Sequence, residues 1–206
     1  MFQLFRFIQR IETAISPTFN SLITVGDTLP AVFAKLQGLL AVRTLRSIIT
    51  TQYTGGASTT ADQNIITLTI PAGQFRVGDA LQVTLRGLWT KPNSIGTTIN
   101  FWVKVNGTKI TTITYQPGAI ATATALPFKV EADLVCRTIG GTGTIFANGN
   151  AFLSTDATTG FARIQDNGIN QTVDTTAAVT VTVGYNFSNS NASNNITANI
   201  ANIIMG

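Results

Sequence analysis

Glu131 and Asp133 are the residues whose type and spacing come nearest to reaction chemistry. They stand two positions apart in an alternating stretch, so both carboxylates leave the same face of a strand. Glycosidases divide acid and base work between two such groups. Here, however, Lys129 and Arg137 flank the pair on an open strand face rather than in a cleft, which argues against catalysis. Histidine is absent from all 206 residues, which removes the commonest general base, the Ser-His-Asp arrangement and the commonest metal ligand. The single cysteine, Cys136, cannot form an intrachain disulfide and has no histidine to activate it, so it is expected in the core. Asp156, Asp166 and Asp174 fall in a polar segment, but their spacing matches no calcium loop. Gly140-Gly141-Thr142-Gly143 lacks the lysine and the following helix of a phosphate-binding loop and reads as a β-turn. Five Asn-X-Ser/Thr triplets carry no weight in a chain so rich in Asn and Thr. No enzyme, metal site or cofactor follows from these residues.

The elements that would hold such groups are strands. Residues 64–87 set the pattern: Ile66, Leu68 and Ile70 share one face and Thr67 and Thr69 the other. Pro71-Ala72-Gly73 then interrupts the strand, Gly78-Asp79 turns, and Leu81, Val83 and Leu85 resume the apolar face. Alternation with period two marks half-buried antiparallel strands. From residue 45 onward this signal runs to the last residues. Residues 97–114 form the clearest hairpin, with Asn106-Gly107 at the turn. Its two-residue loop would set Val103 opposite Ile110, Phe101 opposite Thr112, and Lys104 opposite Lys109, with Trp102 on the lysine face. Phe128, Val130, Ala132, Leu134 and Cys136 point one way, and Lys129, Glu131, Asp133 and Arg137 the other. Residues 142–154 read either as a strand pair broken at Asn148-Gly149 or as one long bent strand. Residues 155–176 are polar, with little periodicity except around Phe161 to Ile164. In 195–205, Ile196, Ala198, Ile200, Asn202 and Ile204 share a parity. Roughly nine strands at regular spacing predict a sandwich or barrel.

Residues 1–44 read differently, as a helical N-terminal arm ahead of a β domain over 45–206. Leu4, Ile8, Ile11 and Ile15 recur at helical spacing, and Phe2, Phe5 and Phe7 widen the apolar face. So apolar a surface needs cover: a neighbouring protein, which is the favoured partner, the chain's own sheets, or lipid. Asp27-Thr28-Leu29-Pro30 has the chemistry of a helix start, and Leu29, Phe33, Leu36 and Leu40 follow in a seam too short for a coiled coil alone. That seam fits equally a symmetry axis beneath a trimeric head or a helix packed on its own sheet. No apolar run is long enough to span a membrane.

Composition bears on partners. Charged residues are 11% of the chain, against about 25% in an average protein. A surface this poor in charge is weakly defended against association, which suggests a subunit covered by copies of itself or by a larger assembly. The net charge of +4 comes from 13 basic residues scattered along the chain and only 9 acids, so no specific nucleic-acid partner is expected. Trp102 is expected either as an exposed inter-subunit contact, the favoured reading, or under a loop, and Trp89, beside a candidate loop at 90–97, as an exposed contact.

Two stretches resemble a known group. ITLTIPAGQFRVGDALQVTLRG, residues 66–87, and VTVGYNFSNSNASNNITANIANIIMG, residues 181–206, are similar to the jelly-roll, tumour-necrosis-factor-like domains of structural proteins of tailed bacteriophages. Phe75 stands where that pattern more often has Leu, and residues 1–44 lie outside it. The resemblance implies an antiparallel jelly-roll β-sandwich and a non-enzymatic homotrimer located in the virion. Such a subunit would be a head decoration or cement protein touching the major capsid protein or a tail or portal component. It implies, as the alternative, a head-fibre or tail-fibre tip that binds a host cell-surface glycan through loops near 90–97 and 155–176.

Overall fold

The computed structural model describes residues 28, 30–32, 45–55, 60–91, 97–116, 123–155, 160–166 and 168–206. The chain divides into two units, Met1–Thr44 and Leu45–Gly206. In the first, residues 30–32 are helical and the Val32 N–H donates to the Thr28 carbonyl at 3.0 Å, as a helix start at Pro30 would have it. The proposed arm residues Phe2, Leu4, Phe5, Phe7, Ile8, Ile11 and Ile15, and the seam residues Leu29, Phe33, Leu36 and Leu40, lie outside the described residues.

The second unit is a sandwich of two antiparallel sheets. Its strands are β1 (Leu45–Ile48), β2 (Tyr53–Thr54), β3 (Gln63–Ile70), β4 (Ala80–Lys91), β5 (Ile99–Val105), β6 (Thr108–Tyr115), β7 (Ala123–Thr138), β8 (Gly143–Ser154), β9 (Phe161–Asp166), β10 (Asn170–Val173), β11 (Val179–Phe187) and β12 (Asn195–Met205). The larger sheet runs β1-β12-β4-β7-β8-β10, with β2 beside β12 and β9 beside β8; the smaller runs β3-β11-β5-β6. The chain therefore changes sheet at each of the steps β2 to β3, β3 to β4, β4 to β5, β6 to β7, β10 to β11 and β11 to β12. Its paths β1-β12-β4-β7 and β3-β11-β5-β6 interleave as the two Greek keys of a jelly roll. Strands β8, β9 and β10 widen the larger sheet beyond that plan.

The alternating residues do what their pattern requires. Ile66, Leu68 and Ile70, Leu81, Val83 and Leu85, and the row from Phe128 to Cys136 all face the interior. Across the sandwich Phe101 stacks on Phe128 with ring centroids 4.9 Å apart. Residues 71–79, which look like a tight link, form an arch that carries the chain from the smaller sheet to the larger. The Gly78 N–H donates to the Cys136 carbonyl at 2.8 Å and fastens the arch to β7.

Two local expectations are corrected, the hairpin register and the facing of β12, and two open segments are resolved. In the β5–β6 hairpin the turn is as expected, with Asn106 and Gly107 both at positive φ, and Lys104 faces Lys109. A bulge beside Val103 then shifts the register, so Val103 faces Thr111 and Phe101 faces Ile113. Of the two readings of residues 142–154, one long strand is found: Asn148-Gly149 lies inside the continuous β8. A Cβ at 149 would come within 2.9 Å of the Thr111 hydroxyl and 3.0 Å of the Ile113 side chain, so glycine is there to let β6 approach. The polar segment 155–176 contains β9 and β10, which pair with β8. In β12 a bulge between Ala198 and Ile200 reverses the parity: Ala201, Ile203 and Met205 are buried and Ile200 is 46% exposed.

Candidate functional site

Both tryptophans expected as exposed contacts are buried, each 1% exposed. Trp89 points inward from β4. Its indole N–H donates to the Ser154 carbonyl at 3.2 Å and its ring meets Tyr115 edge-on at 5.9 Å. Its position before a loop suggested display, but the register of β4 puts residue 89 on the same face as Leu85, with the core.

Trp102 does leave the outer face of the smaller sheet, as the hairpin alternation implied. It is covered from two sides. Beneath it lies Gly184 of β11, whose missing Cβ would fall 2.4 Å from the indole ring and 2.0 Å from the Gln63 carbonyl. Above it, the Lys104 and Lys109 ammonium groups stand 4.4 and 5.6 Å from the ring centroid. Asp62, from the turn leading into β3, bridges the two lysines, each at 2.8 Å. This arrangement resolves the like-charge pair read from the hairpin. Burial opposes ionisation of Asp62, but the hydrogen bonds and charges of Lys104 and Lys109 outweigh it and hold its carboxyl below the usual range. Nothing in the sequence near residue 104 announced Asp62, which arrives from some forty positions away.

Asp166 is a second carboxylate tied down. It ends β9 in the larger sheet and accepts hydrogen bonds from the Thr111 hydroxyl at 2.5 Å, the Thr112 N–H at 2.8 Å and the Gly168 N–H at 3.2 Å. Thr111 and Thr112 belong to β6, the edge of the smaller sheet, so the carboxylate fastens the two sheets along one side. Burial raises its pKa, and the three donors lower it by more, leaving the group below its ordinary value. Asp174 caps its own turn by accepting from the Thr176 hydroxyl and N–H. Asp156 lies outside the described residues.

Glu131 and Asp133 do share the outer face of the larger sheet. Glu131 is held by Lys129 at 2.7 Å, with both side chains more than a third exposed, an ion pair worth about 1 kcal/mol or less. Cys136 is fully buried, and burial, then the neighbouring Asp79 charge, push its thiol up and away from the reactive thiolate. Among the described residues no group of three or more acids or cysteines could hold a metal ion, and no helix is long and apolar enough to cross a membrane.

The most distinctive surface is the outer face of the larger sheet, where register builds a row that no local motif reveals. Ile200 of β12 pairs with Arg86 of β4, Arg86 with Lys129 of β7, Lys129 with Phe152 of β8, and Phe152 with Arg163 of β9. The Arg163 guanidinium carbon lies 5.5 Å from the centre of the Phe152 ring. Two positions along β9, Phe161 is 73% exposed. Beside this row run polar side chains: Thr84 pairs with Glu131, Glu131 with Asn150, and Asn150 with Gln165. These residues lie about 120 positions apart in the chain at the extremes, so only the strand pairings bring them together.

No family model matches the chain, and no curated protein matches it. Among solved structures, dimeric latent PorU from Porphyromonas gingivalis is 8% identical with a TM-score of 0.32, over 79% of this chain and 13% of that one. The chain thus spans only a small part of that protein's length. The CBM2 module of the evolved Dit of Lactobacillus casei BL23 phage J-1 is 8% identical with a TM-score of 0.33, over 79% of this chain and 96% of that one. A legume lectin-like domain from Entamoeba histolytica is 9% identical with a TM-score of 0.27, over 88% and 98%. Likenesses this distant carry no functional argument.

Proposed function

We propose that the chain is a non-enzymatic structural subunit of a bacteriophage virion, a homotrimeric head decoration or cement protein. In this reading the jelly roll projects and the N-terminal segment, through Phe2, Phe5, Phe7 and their neighbours, holds it to the major capsid protein or to a tail or portal component. The observation that carries the reading is uncovered apolar surface on a charge-poor chain. Ile48, Phe161, Ile169 and Ile200 are all at least 46% exposed where only 11% of residues carry charge. Uncovered apolar side chains favour association, and few charges oppose it. The jelly-roll interleaving of the strands and the resemblance of residues 66–87 and 181–206 support the same reading. Light scattering on the purified protein should give three times the 21.8 kDa of one chain. Deleting residues 1–16 should leave that trimer folded but absent from purified particles. A monomer at high concentration would remove the trimer, and undiminished incorporation of the deletion would remove the anchor.

A second reading, a fibre tip that binds a host cell-surface glycan, is favoured by the row of cations and phenylalanines across the larger sheet. The contact would then be a sheet face rather than the loops near 90–97 and 155–176 or Trp89.

A further inference from the structure

We infer that the outer face of the larger sheet binds an acidic polysaccharide along the row Arg86, Lys129, Phe152 and Arg163. The inference deepens the glycan-binding reading by naming the surface and the chemistry of the ligand, and it rests on that reading.

The argument begins with spacing. Neighbouring strands lie about 4.8 Å apart. Arg86 and Lys129 stand on adjacent strands, and Arg163 stands two strands beyond Lys129, across β8. The three cations thus fall on one line at intervals of about one and two strand spacings, roughly 5 and 10 Å. A pyranose unit is about as long as one strand spacing, so a chain with an anionic group on each sugar, or on alternate sugars, meets this line in register. Phe152 fills the gap between Lys129 and Arg163. Its ring, with that of Phe161 nearby, offers the apolar platform on which the C–H face of a sugar stacks.

Charge complementarity selects the acidic ligand over a neutral one. Among the described residues neither Arg86 nor Arg163 has a carboxylate partner, and only Lys129 is paired, with a Glu131 that is itself partly exposed. Arginine also presents a planar fork of donors matched to carboxylate and sulfate oxygens. The adjoining row selects a sugar over a lipid surface. Thr84 and Gln165 offer hydroxyl and amide groups that suit sugar hydroxyls and would be costly to bury in acyl chains.

The test is affinity electrophoresis of the full chain in gels containing polygalacturonate, heparin or neutral dextran, with poly(dT) and phosphatidylglycerol vesicles as competing classes. The wild-type protein should be retarded by polygalacturonate or heparin, less so as salt rises, and not by dextran. Arg86→Gln with Arg163→Gln should weaken that retardation at least tenfold, and Phe152→Ala severalfold. The equal charge loss of Arg46→Gln with Arg76→Gln should change it less than twofold. Near-ultraviolet circular dichroism of each variant checks that the fold is retained. Four results would overturn the inference: no retardation by either polyanion, tighter binding to poly(dT) or to vesicles, equal loss in the control variant, or Phe152→Ala binding as wild type. Retardation by dextran that survives the arginine changes would also overturn it, while leaving the broader glycan reading in place.

Discussion

Replacing Asp166 by Ala should be among the most damaging single changes at the surface of this domain. The carboxylate is the acceptor for three donors, and their settings differ. The Thr111 hydroxyl is on a residue only 3% exposed, so water cannot readily replace the lost acceptor. A hydrogen bond to a charged group contributes about 1.5–3 kcal/mol, and a buried donor left unpaired costs a similar amount. Thr112 is exposed and Gly168 is half-buried, so water recovers much of what their N–H groups lose. Together these give a loss of about 3 kcal/mol at pH 7. Urea denaturation followed by the fluorescence of Trp89 and Trp102 measures it. The pH dependence has a definite sign. The carboxyl is held below its ordinary value in the folded state, and its unfolded pKa is about 3.9. Its contribution is therefore full above pH 4 and is lost as pH falls through the lower folded value. The deficit of the variant against wild type should be flat from pH 5 to 8 and shrink in stronger acid. Adding Thr111→Val should cost less in the Asp166→Ala background than in wild type, by about 1 kcal/mol or more, because the orphaned donor is gone. A variant within about 0.5 kcal/mol of wild type at pH 7, or strict additivity of the two changes, would refute the assignment of Asp166 as the fastener between the sheets.

Asp62→Ala should cost about 1–2 kcal/mol, since it leaves Lys104 and Lys109 facing one another without their shared counter-ion. The cost should be full above the unfolded carboxyl pKa of about 3.9 and shrink in stronger acid, as pH falls through the depressed folded value of Asp62, and should fall when Lys109 is also changed to Met; chemical denaturation across pH reads both. Gly184→Ala should destabilise by about 2–3 kcal/mol, because its Cβ collides with the Gln63 carbonyl, which is backbone, as well as with the Trp102 ring. A Tm unchanged within about 1 °C would remove the claim that Trp102 dictates glycine at 184.

How far the fold could be read beforehand depended on the range of the interaction that decides each feature. Strand identity and facing were legible wherever period two was unbroken, as from Ile66 to Ile70 and from Phe128 to Cys136, because burial on one face writes itself into neighbouring residues. The jelly-roll class came from the resemblance of residues 66–87 and 181–206, and the strand order agrees with it. Bulges were not legible. Ile200 looks like a core residue by parity, and only its pairing with Arg86 one step past Gly87 shows that it has been turned outward. Asn148-Gly149 left two readings open for a related reason: glycine serves tight turns and close approaches alike, and here the approaching partner, Thr111, is distant in sequence. Both tryptophans were misplaced because exposure depends on what covers a face as well as on which face a residue occupies. Two lysines held by Asp62 cover Trp102; the core takes Trp89. The cation row was invisible for the same cause. Arg86, Lys129 and Arg163 are isolated in the chain and become one feature only through three strand pairings.

The order of strands has a consequence for how this molecule comes into being. β11 is flanked by β3 and β5, and β12 by β1 and β4, so the late-arriving segments 179–187 and 195–205 sit in the middle of their sheets. Until they emerge from the ribosome, four earlier strands expose unsatisfied edges and an open apolar interior. The nascent polypeptide must therefore wait, adhesive and incomplete, and then close both layers at nearly the same moment. Premature termination anywhere before residue 195 would yield sticky debris rather than a smaller working domain.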